Sequence, residues 1–182
     1  MSHFKLHTVE SAPVESKTIL EGAEKQMGAV PGLFATMAES PSLLKAYTQL
    51  HQLFTNTSLN AEELTVVWQT INVEHECHYC VPAHTAIAHS MKVDPVLTEA
   101  LRKGGAMPTS KLQALHDFTL NIVRNRGEVS EAELDDFYAA GYGQQQVLEI
   151  ILGLSQKVIS NYTNHVARTP VDTMFEQFAW EK

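Results

Sequence analysis

One stretch, ECHYCVPAH at residues 76–84, decides how the rest of this sequence is interpreted. Its Cys77 and Cys80 are the only two cysteines among 182 residues. Two cysteines placed at random would fall three positions apart in roughly one case in a hundred, by counting pairs of positions. A redox dithiol and half of a metal site are the two chemical explanations for this spacing.

If the stretch forms a helix, it brings two thiols and an imidazole together. Cys77, Cys80 and His84 stand at positions i, i+3 and i+7, which share one helix face. The macrodipole and the unpaired N–H groups of a helix N-terminus stabilise a thiolate, and a neighbouring imidazole accepts its proton. The pattern predicts a cysteine with a lowered pKa beside a second thiol that closes on it.

A metal site is the alternative that the same cysteines leave open, and an inert pair of core thiols is another. Near the cysteines, the sequence contains no second Cys-x-x-Cys and no His-x-x-x-His that would complete a zinc site. Single histidines that remain available are His75, His78, His84, His89 and His165. We expect a redox dithiol, with no metal and no cofactor.

Charge and composition exclude several classes of partner. The chain has a formal net charge of −8 and 44% apolar residues, which is typical of an acidic globular protein. Like charge repels nucleic acids and anionic membrane surfaces, so neither is an expected partner. The N-terminus lacks the apolar run of a signal peptide and no stretch approaches the length of a membrane span, so we expect a cytoplasmic location.

Apolar residues recur at helical spacing through most of the chain, and no segment alternates with the period of a strand. The sequence therefore predicts an all-α protein. Capping boxes are predicted at Asn60–Glu63, Ser110–Gln113 and Ser130–Glu133. The predicted helices have the approximate bounds 15–27, 33–39, 43–54, 61–73, 81–91, 95–103, 110–126, 130–140, 144–167 and 172–180.

The cysteine stretch resembles the Cys-x-x-Cys-x-x-x-His signature of the AhpD-like alkyl hydroperoxidases, within the carboxymuconolactone decarboxylase superfamily. The upstream segments VPGLF (30–34) and SPSLL (40–44) are similar to those of the longer, peroxidase-related members, and Asn161 and His165 fall in a helix like the closing helix of that fold. The resemblance is strongest over residues 60–92.

This resemblance implies an AhpD-like helical bundle formed as a single domain by residues 1–182, with a core of about 42–126 and closing helices over 130–180. It also implies a homo-oligomer, as a dimer, trimer or hexamer. The apolar helix at 144–167 is a candidate interface, and a buried core helix explains its composition equally well.

The resemblance further implies a relay acid on the helix before the cysteines. Counting from Asn72 gives Glu62, and a shifted register gives Glu63, so both remain candidates, although one of them can be only the acid of a capping box. Tyr79 occupies the place of a second histidine in the best-known motif, and its hydroxyl is a possible substitute.

A thiol-dependent peroxidase is the function that these residues imply. A thiolate attacks the hydroperoxide and becomes a sulfenic acid, the second cysteine condenses with it to a disulfide, and a dithiol reductant, protein or small molecule, resets the pair. Cys80 is favoured as the attacking residue because His84 follows it by one turn, whereas helix-terminus electrostatics favour Cys77. A lactone decarboxylase-like lyase and a non-enzymatic redox sensor are the alternatives, and the cysteine pair counts against the lyase.

Overall fold

A computed structural model describes residues 4–182, and in this range the chain forms α-helices and no β-strand. The predicted all-α class is confirmed. None of these helices combines the length and apolar character needed to cross a bilayer. The helices are α1 (Val14–Met27), α2 (Gly32–Met37), α3 (Pro41–Thr55), α4 (Ala61–Glu74), α5 (Cys80–Ser90), α6 (Pro95–Lys103), α7 (Ser110–Arg124), α8 (Glu131–Ala139), α9 (Gln144–Ala167) and a 3-10 helix (Thr173–Phe178).

The helix starts follow the capping residues, with one correction. The Asn60–Glu63 and Ser130–Glu133 capping boxes are both present. The box predicted at Ser110 is wrong, because Thr109 is the N-cap and its hydroxyl accepts a hydrogen bond from the Leu112 backbone at 3.2 Å. The helix therefore begins where predicted, with a cap one residue earlier.

The dithiol lies at the junction between α4 and α5. Glu76 adopts a left-handed conformation with φ 53° and reverses the chain, and the Cys77 N–H donates to the Asn72 carbonyl at 3.0 Å. The helix starts at Cys80, which places Cys77 in the preceding turn and corrects the expectation of three groups on one helix face. Pro82 falls in the first turn, where a missing N–H costs least.

Two apolar clusters form the core, and the dithiol belongs to the second. The first cluster gathers side chains of α4, α6, α7 and α8 around Trp68 and Phe137. The second joins α1, α2 and α3 to both cysteines through Leu20, Met37, Leu44 and Tyr47. Trp68 and Ile71 are buried, as their spacing on α4 predicts.

The long helix α9 has the predicted bounds, and several of its apolar side chains are exposed in the chain. Leu148 and Ile151 are 66% and 45% exposed, so they do not face the core of the chain, and a role in an interface stays a prediction. The middle and C-terminal half of the helix instead buries a polar stripe, formed by Gln156, Lys157, Ser160, Asn161 and Asn164. Burying a polar group costs free energy unless it is hydrogen-bonded. This stripe therefore indicates a polar site in the interior, where α9 meets other helices.

The C-terminal segment packs along α5 as a 3-10 helix, where the sequence predicts a last short helix. The Arg102 guanidinium of α6 donates to the carbonyls of Phe178 and Ala179, each at 3.0 Å. The Trp180 indole N–H donates to the Arg102 carbonyl at 2.9 Å. These bonds fix the segment beside the helix that begins with Cys80.

We predict that Gly153→Ala destabilises the protein by about 1–3 kcal/mol, because the new Cβ would overpack the contact of α9 with α3 and α4. A Cβ at Gly153 would lie 2.6 Å from Phe54 Cε2 and 3.1 Å from Val67 Cγ1. The matched control is Gly22→Ala in α1, where a Cβ meets nothing within 4 Å. That variant is expected to gain about 0.5–1 kcal/mol. Urea denaturation of both variants measures the difference, and equal stabilities would contradict the prediction.

Candidate active site

Amide side chains of α4 hold the first turn of α5 in place. The Gln69 amide donates to the Val81 carbonyl at 3.1 Å, and the Asn72 amide donates to Gln69 Oε1 at 3.0 Å. Asn161 of α9 joins this network, because its amide donates to Asn72 Oδ1 at 3.0 Å. The three helices α4, α5 and α9 therefore meet behind the dithiol through satisfied polar contacts.

Both thiols are reduced and buried, and they lie next to each other. The backbone N–H of Cys80 donates to Cys77 Sγ at 3.3 Å, and the Asn164 amide of α9 donates to Cys80 Sγ at 3.2 Å. Cys80 is thus the first residue of α5, and its sulfur accepts a hydrogen bond from a residue of α9. Both features stabilise a negative charge on its sulfur.

The surroundings separate the pKa values of the two thiols. Burial alone would raise the pKa of Cys80, but a hydrogen bond from Cys77, the positive charge of Lys157 and the amides of Asn164 and Asn161 outweigh it and lower the pKa to about 5. The hydrogen bond to Cys80 and burial raise the pKa of Cys77. Cys80 is therefore the thiolate at neutral pH, and Cys77 is the protonated thiol beside it.

Lys157 is the charged residue that the sequence analysis missed. Its side chain is fully buried, and its Nζ lies 2.8 Å from Nε2 of His84. Burial, Lys157 and His51 together hold the pKa of His84 well below its usual range. His84 is thus a neutral imidazole that contacts Lys157, whereas the sequence predicts a base that takes the proton of Cys80.

An aromatic wall continues from His84 to α3. The His84 ring lies 4.8 Å from the Trp68 ring, and His51 stacks on the other side of Trp68 at 5.6 Å between centroids. Gln156 of α9 accepts from the Trp68 indole at 2.7 Å and lies 3.1 Å from His51 Nδ1. Burial, aided by Lys157, lowers the pKa of His51 to about 4, so this wall is uncharged.

A cavity of about 590 Å³ opens in front of Cys80. Apolar and aromatic side chains from α1, α2, α3 and α5 form most of its surface, while Cys80, His84 and Lys157 contribute the reactive groups. No aspartate or glutamate among residues 4–182 lines it. The apolar side chains include Ile19, Met27, Leu33, Phe34, Ile87 and Phe175.

Tyr79, between the cysteines, links the dithiol turn to α2 and the C-terminal segment. Its hydroxyl donates to Asp172 at 2.6 Å and accepts from the Leu33 backbone N–H at 3.2 Å. Burial and the charge of Asp172 raise the pKa of Tyr79. The hydroxyl therefore both donates and accepts a hydrogen bond within the fold. Its role in place of a relay histidine stays a prediction.

The two glutamates proposed as relay acids lie at the opposite end of α4 from the dithiol. Glu63 accepts from the Asn60 backbone and from the Tyr142 hydroxyl, and pairs with Lys111 at 3.0 Å. Nine residues of helix separate it from Asn72, which is about 13 Å along the axis. Glu62 is exposed on the same first turn. In the described residues, neither glutamate has a contact with a cysteine. A proton relay through either of them stays a prediction.

The described residues contain no group of three or more His, Cys, Asp or Glu side chains arranged to hold a metal ion. Among the histidines considered for a metal site, His75 lies 2.9 Å from Asn161 Oδ1 through its Nδ1, and His165 is exposed on α9. Cys80 Sγ accepts a hydrogen bond from the Asn164 amide instead. This arrangement suits thiolate chemistry.

No family model and no curated protein matches the chain, but solved structures do. A peroxidase-related protein from Ralstonia eutropha JMP134, described as an alkylhydroperoxidase AhpD core, is similar with TM-score 0.85 and 20% identity over 96% of this chain and 94% of that one. A peroxidase-related protein from Silicibacter sp. TM1040 is similar with TM-score 0.82 and 19% identity, over 96% of this chain and 93% of that one. The debrominase Bmp8, as a Cys→Ala variant in complex with 2,3,4-tribromopyrrole, is similar with TM-score 0.77 and 15% identity, over 95% of this chain and 93% of that one.

These similarities establish that the chain has the AhpD-like fold. The sequence resemblance of the dithiol stretch is confirmed at this level, as is the predicted helical bundle. The neighbours comprise peroxidase-related proteins and a debrominase, which is a wider range of chemistry than the fold alone distinguishes.

We predict that iodoacetamide alkylates Cys80 with a pH midpoint near 5, the pKa of its thiol. Cys77→Ser is expected to keep a low midpoint because the serine hydroxyl still donates to the thiolate. Cys77→Ala lacks that donor, so its midpoint is expected to rise by about 1 unit or more. Mass spectrometry of the modified protein across pH 3–10 measures each midpoint. Identical midpoints in the two variants would contradict the assigned hydrogen bond.

Proposed function

We propose that the protein is a thiol-dependent peroxidase in which Cys80 attacks and Cys77 resolves. The single observation that supports this most strongly is the buried Cys80 sulfur at the wall of a large cavity, where it accepts a hydrogen bond from Asn164 and has the Cys77 thiol beside it. A thiolate is the form that reacts with peroxides, and a neighbouring thiol limits further oxidation.

The reaction has two chemical steps before reset. The Cys80 thiolate attacks the terminal oxygen of a hydroperoxide, the O–O bond breaks, and Cys80 becomes a sulfenic acid while an alkoxide leaves and takes up a proton to become an alcohol. The Cys77 thiol then attacks the sulfenic sulfur, forming the disulfide and releasing water. A dithiol reductant, protein or small molecule, returns both cysteines to the thiol state.

The apolar cavity favours an organic hydroperoxide as substrate. Its volume of about 590 Å³ exceeds what hydrogen peroxide occupies, and its surface offers aliphatic and aromatic side chains to an alkyl or aryl group. The thiol chemistry uses no metal and no cofactor. A cytoplasmic location, where reductants are available, remains part of this proposal.

Assembly into a homo-oligomer is also part of the proposal. The outer face of α9 exposes Leu148, Ile151 and Val166, of which Val166 is 71% exposed. Exposed apolar side chains on one helix are typical of contacts between copies of a chain. Their exposure supports the earlier interpretation of α9 as an interface better than that of a core helix.

Reductive dehalogenation of a halogenated aromatic ring is a second candidate. Replacing a carbon–halogen bond by carbon–hydrogen requires two electrons, and a dithiol supplies them when it closes to a disulfide. The stacked rings of Tyr47, His51 and Trp68 contribute to the cavity surface and favour a ring-shaped substrate, and one solved neighbour is a debrominase in complex with 2,3,4-tribromopyrrole. Release of halide ion distinguishes this reaction from peroxide reduction.

We predict that one equivalent of cumene hydroperoxide converts the reduced protein to a species lighter by two hydrogen atoms, with loss of both free thiols. Cys77→Ser is expected to stop at a sulfenic acid that dimedone traps on Cys80, because no resolving thiol is present. Cys80→Ser is expected to react at least about 100-fold more slowly, since the pKa of Cys77 is raised. Intact-mass spectrometry with thiol counting measures all three.

Two results would contradict the proposal. Unchanged mass of the wild-type protein after hours with the hydroperoxide would exclude peroxidase activity. Trapping of the sulfenic acid on Cys77 in the Cys80→Ser variant, at the wild-type rate, would reverse the assigned roles of the cysteines.

A further inference from the structure

We propose that Lys157 is the acid of the reaction and delivers its proton through His84 to the oxygen that leaves the hydroperoxide. This inference rests on the proposed function and adds a catalytic relay to it. Lys157 stands 73 residues after His84, in a helix that the sequence analysis assigned to packing or assembly.

The burial of Lys157 requires an explanation. Its side chain is fully buried, and none of the ion pairs in residues 4–182 includes it. Lysine is almost never fully buried unless its charge is paired. Burial lowers the pKa of Lys157, and negative charge at the dithiol, chiefly on Cys80, acts in the opposite direction and favours the ammonium form. The Cys80 thiolate and the Lys157 ammonium therefore depend on each other, and loss of one charge removes the reason for the other.

The contact with His84 fixes the position of a proton. An ammonium group has donors and no acceptor, so His84 Nε2, 2.8 Å from Lys157 Nζ, accepts this hydrogen bond. A neutral imidazole then carries its own proton on Nδ1. Lys157 thus sets the tautomer of His84.

The Nδ1 atom of His84 is the second observation that points to a ligand. It is buried and has no hydrogen-bond partner within residues 4–182, while the His84 side chain is 95% buried and forms part of the cavity wall with Cys80. Buried donors in native proteins are almost always paired. The proposed relay assigns this N–H to an oxygen of a substrate bound where His84 lines the cavity beside Cys80.

The step balances with these groups alone. As Cys80 Sγ bonds to the terminal oxygen and the O–O bond breaks, the other oxygen leaves as an alkoxide. It takes the proton from His84 Nδ1, while His84 Nε2 takes a proton from Lys157 Nζ. The products are a sulfenic acid, an alcohol and a neutral lysine amine, so the thiolate and ammonium charges disappear together.

The reset restores both charges. After Cys77 closes the disulfide and releases water, the dithiol reductant supplies two electrons and two protons to the pair. The proton that reaches Cys80 passes to the Lys157 amine, which regenerates the thiolate and the ammonium. Each cycle therefore begins with the acid reloaded beside its nucleophile.

The test compares two oxidants that differ in their need for an acid. An alkoxide, the leaving group of tert-butyl hydroperoxide, requires a proton, whereas the acetate that leaves peracetic acid does not. Lys157→Met keeps the length of the buried chain and removes the proton. The matched control is Lys45→Met, the same change at an exposed position on α3.

Single-turnover loss of thiol is measured with each oxidant. Lys157→Met is expected to slow the reaction with tert-butyl hydroperoxide by at least about 100-fold more than that with peracetic acid, in the range typical of general acid catalysis. Because both oxidants react with the same thiolate, the ratio of their rates is independent of any change in the fraction of thiolate. Lys45→Met is expected to leave both rates unchanged.

His84→Asn provides a second test, in case Lys157→Met does not fold. The asparagine amide reproduces a donor near the Nδ1 position but offers no path to Lys157, so the same selective loss is expected. Equal slowing with both oxidants in either folded variant would overturn the relay and leave the peroxidase intact. A wild-type protein that reacts with neither oxidant would overturn the proposed function and the relay with it.

Discussion

The electrostatic interaction between two buried groups, the Cys80 sulfur and the Lys157 amine, is the constraint on which the rest of this site depends. Neither charge is stable alone in an apolar interior, because each would lose its hydration without compensation. The amides of Asn164 and Asn161 add hydrogen bonds to the sulfur, and Cys80 is the first residue of α5, where the helix dipole favours a negative charge. The helices that carry these groups must therefore pack in one register, and α9 is held in that register by polar contacts.

The same register explains two features that otherwise look unrelated. Gly153 allows α9 to approach Phe54 and Val67 closely enough for its polar stripe to reach the dithiol. Gln156 satisfies the Trp68 indole, which keeps the aromatic wall in contact with both His51 and His84. The same turns of α9 thus provide both the close packing and the polar groups of the site. Apolar side chains from other helices form most of the cavity in front of Cys80.

Much of the fold was predictable because its signals are local. The capping boxes at Asn60 and Ser130 and the spacing of apolar residues depend on neighbours within four positions, and the predicted helices correspond to the observed ones. Two local predictions failed for local reasons. Thr109 competed with Ser110 for the N-cap, and the left-handed Glu76 removed Cys77 from the helix that Cys80 begins.

The sequence by itself determined an all-α chain and a close pair of thiols, because helix periodicity and Cys-x-x-Cys spacing are fixed within a few residues. Only the tertiary structure decided which groups face those thiols. The polar positions 157, 160, 161 and 164 already lie on one face of a predicted helix, and that pattern was the available signal. Their partners stand on α4 and α5, however, and periodicity shows that a face is polar without showing what it meets. The contact of the buried Lys157 side chain with His84 is long-range, so it exists only once the helices have packed.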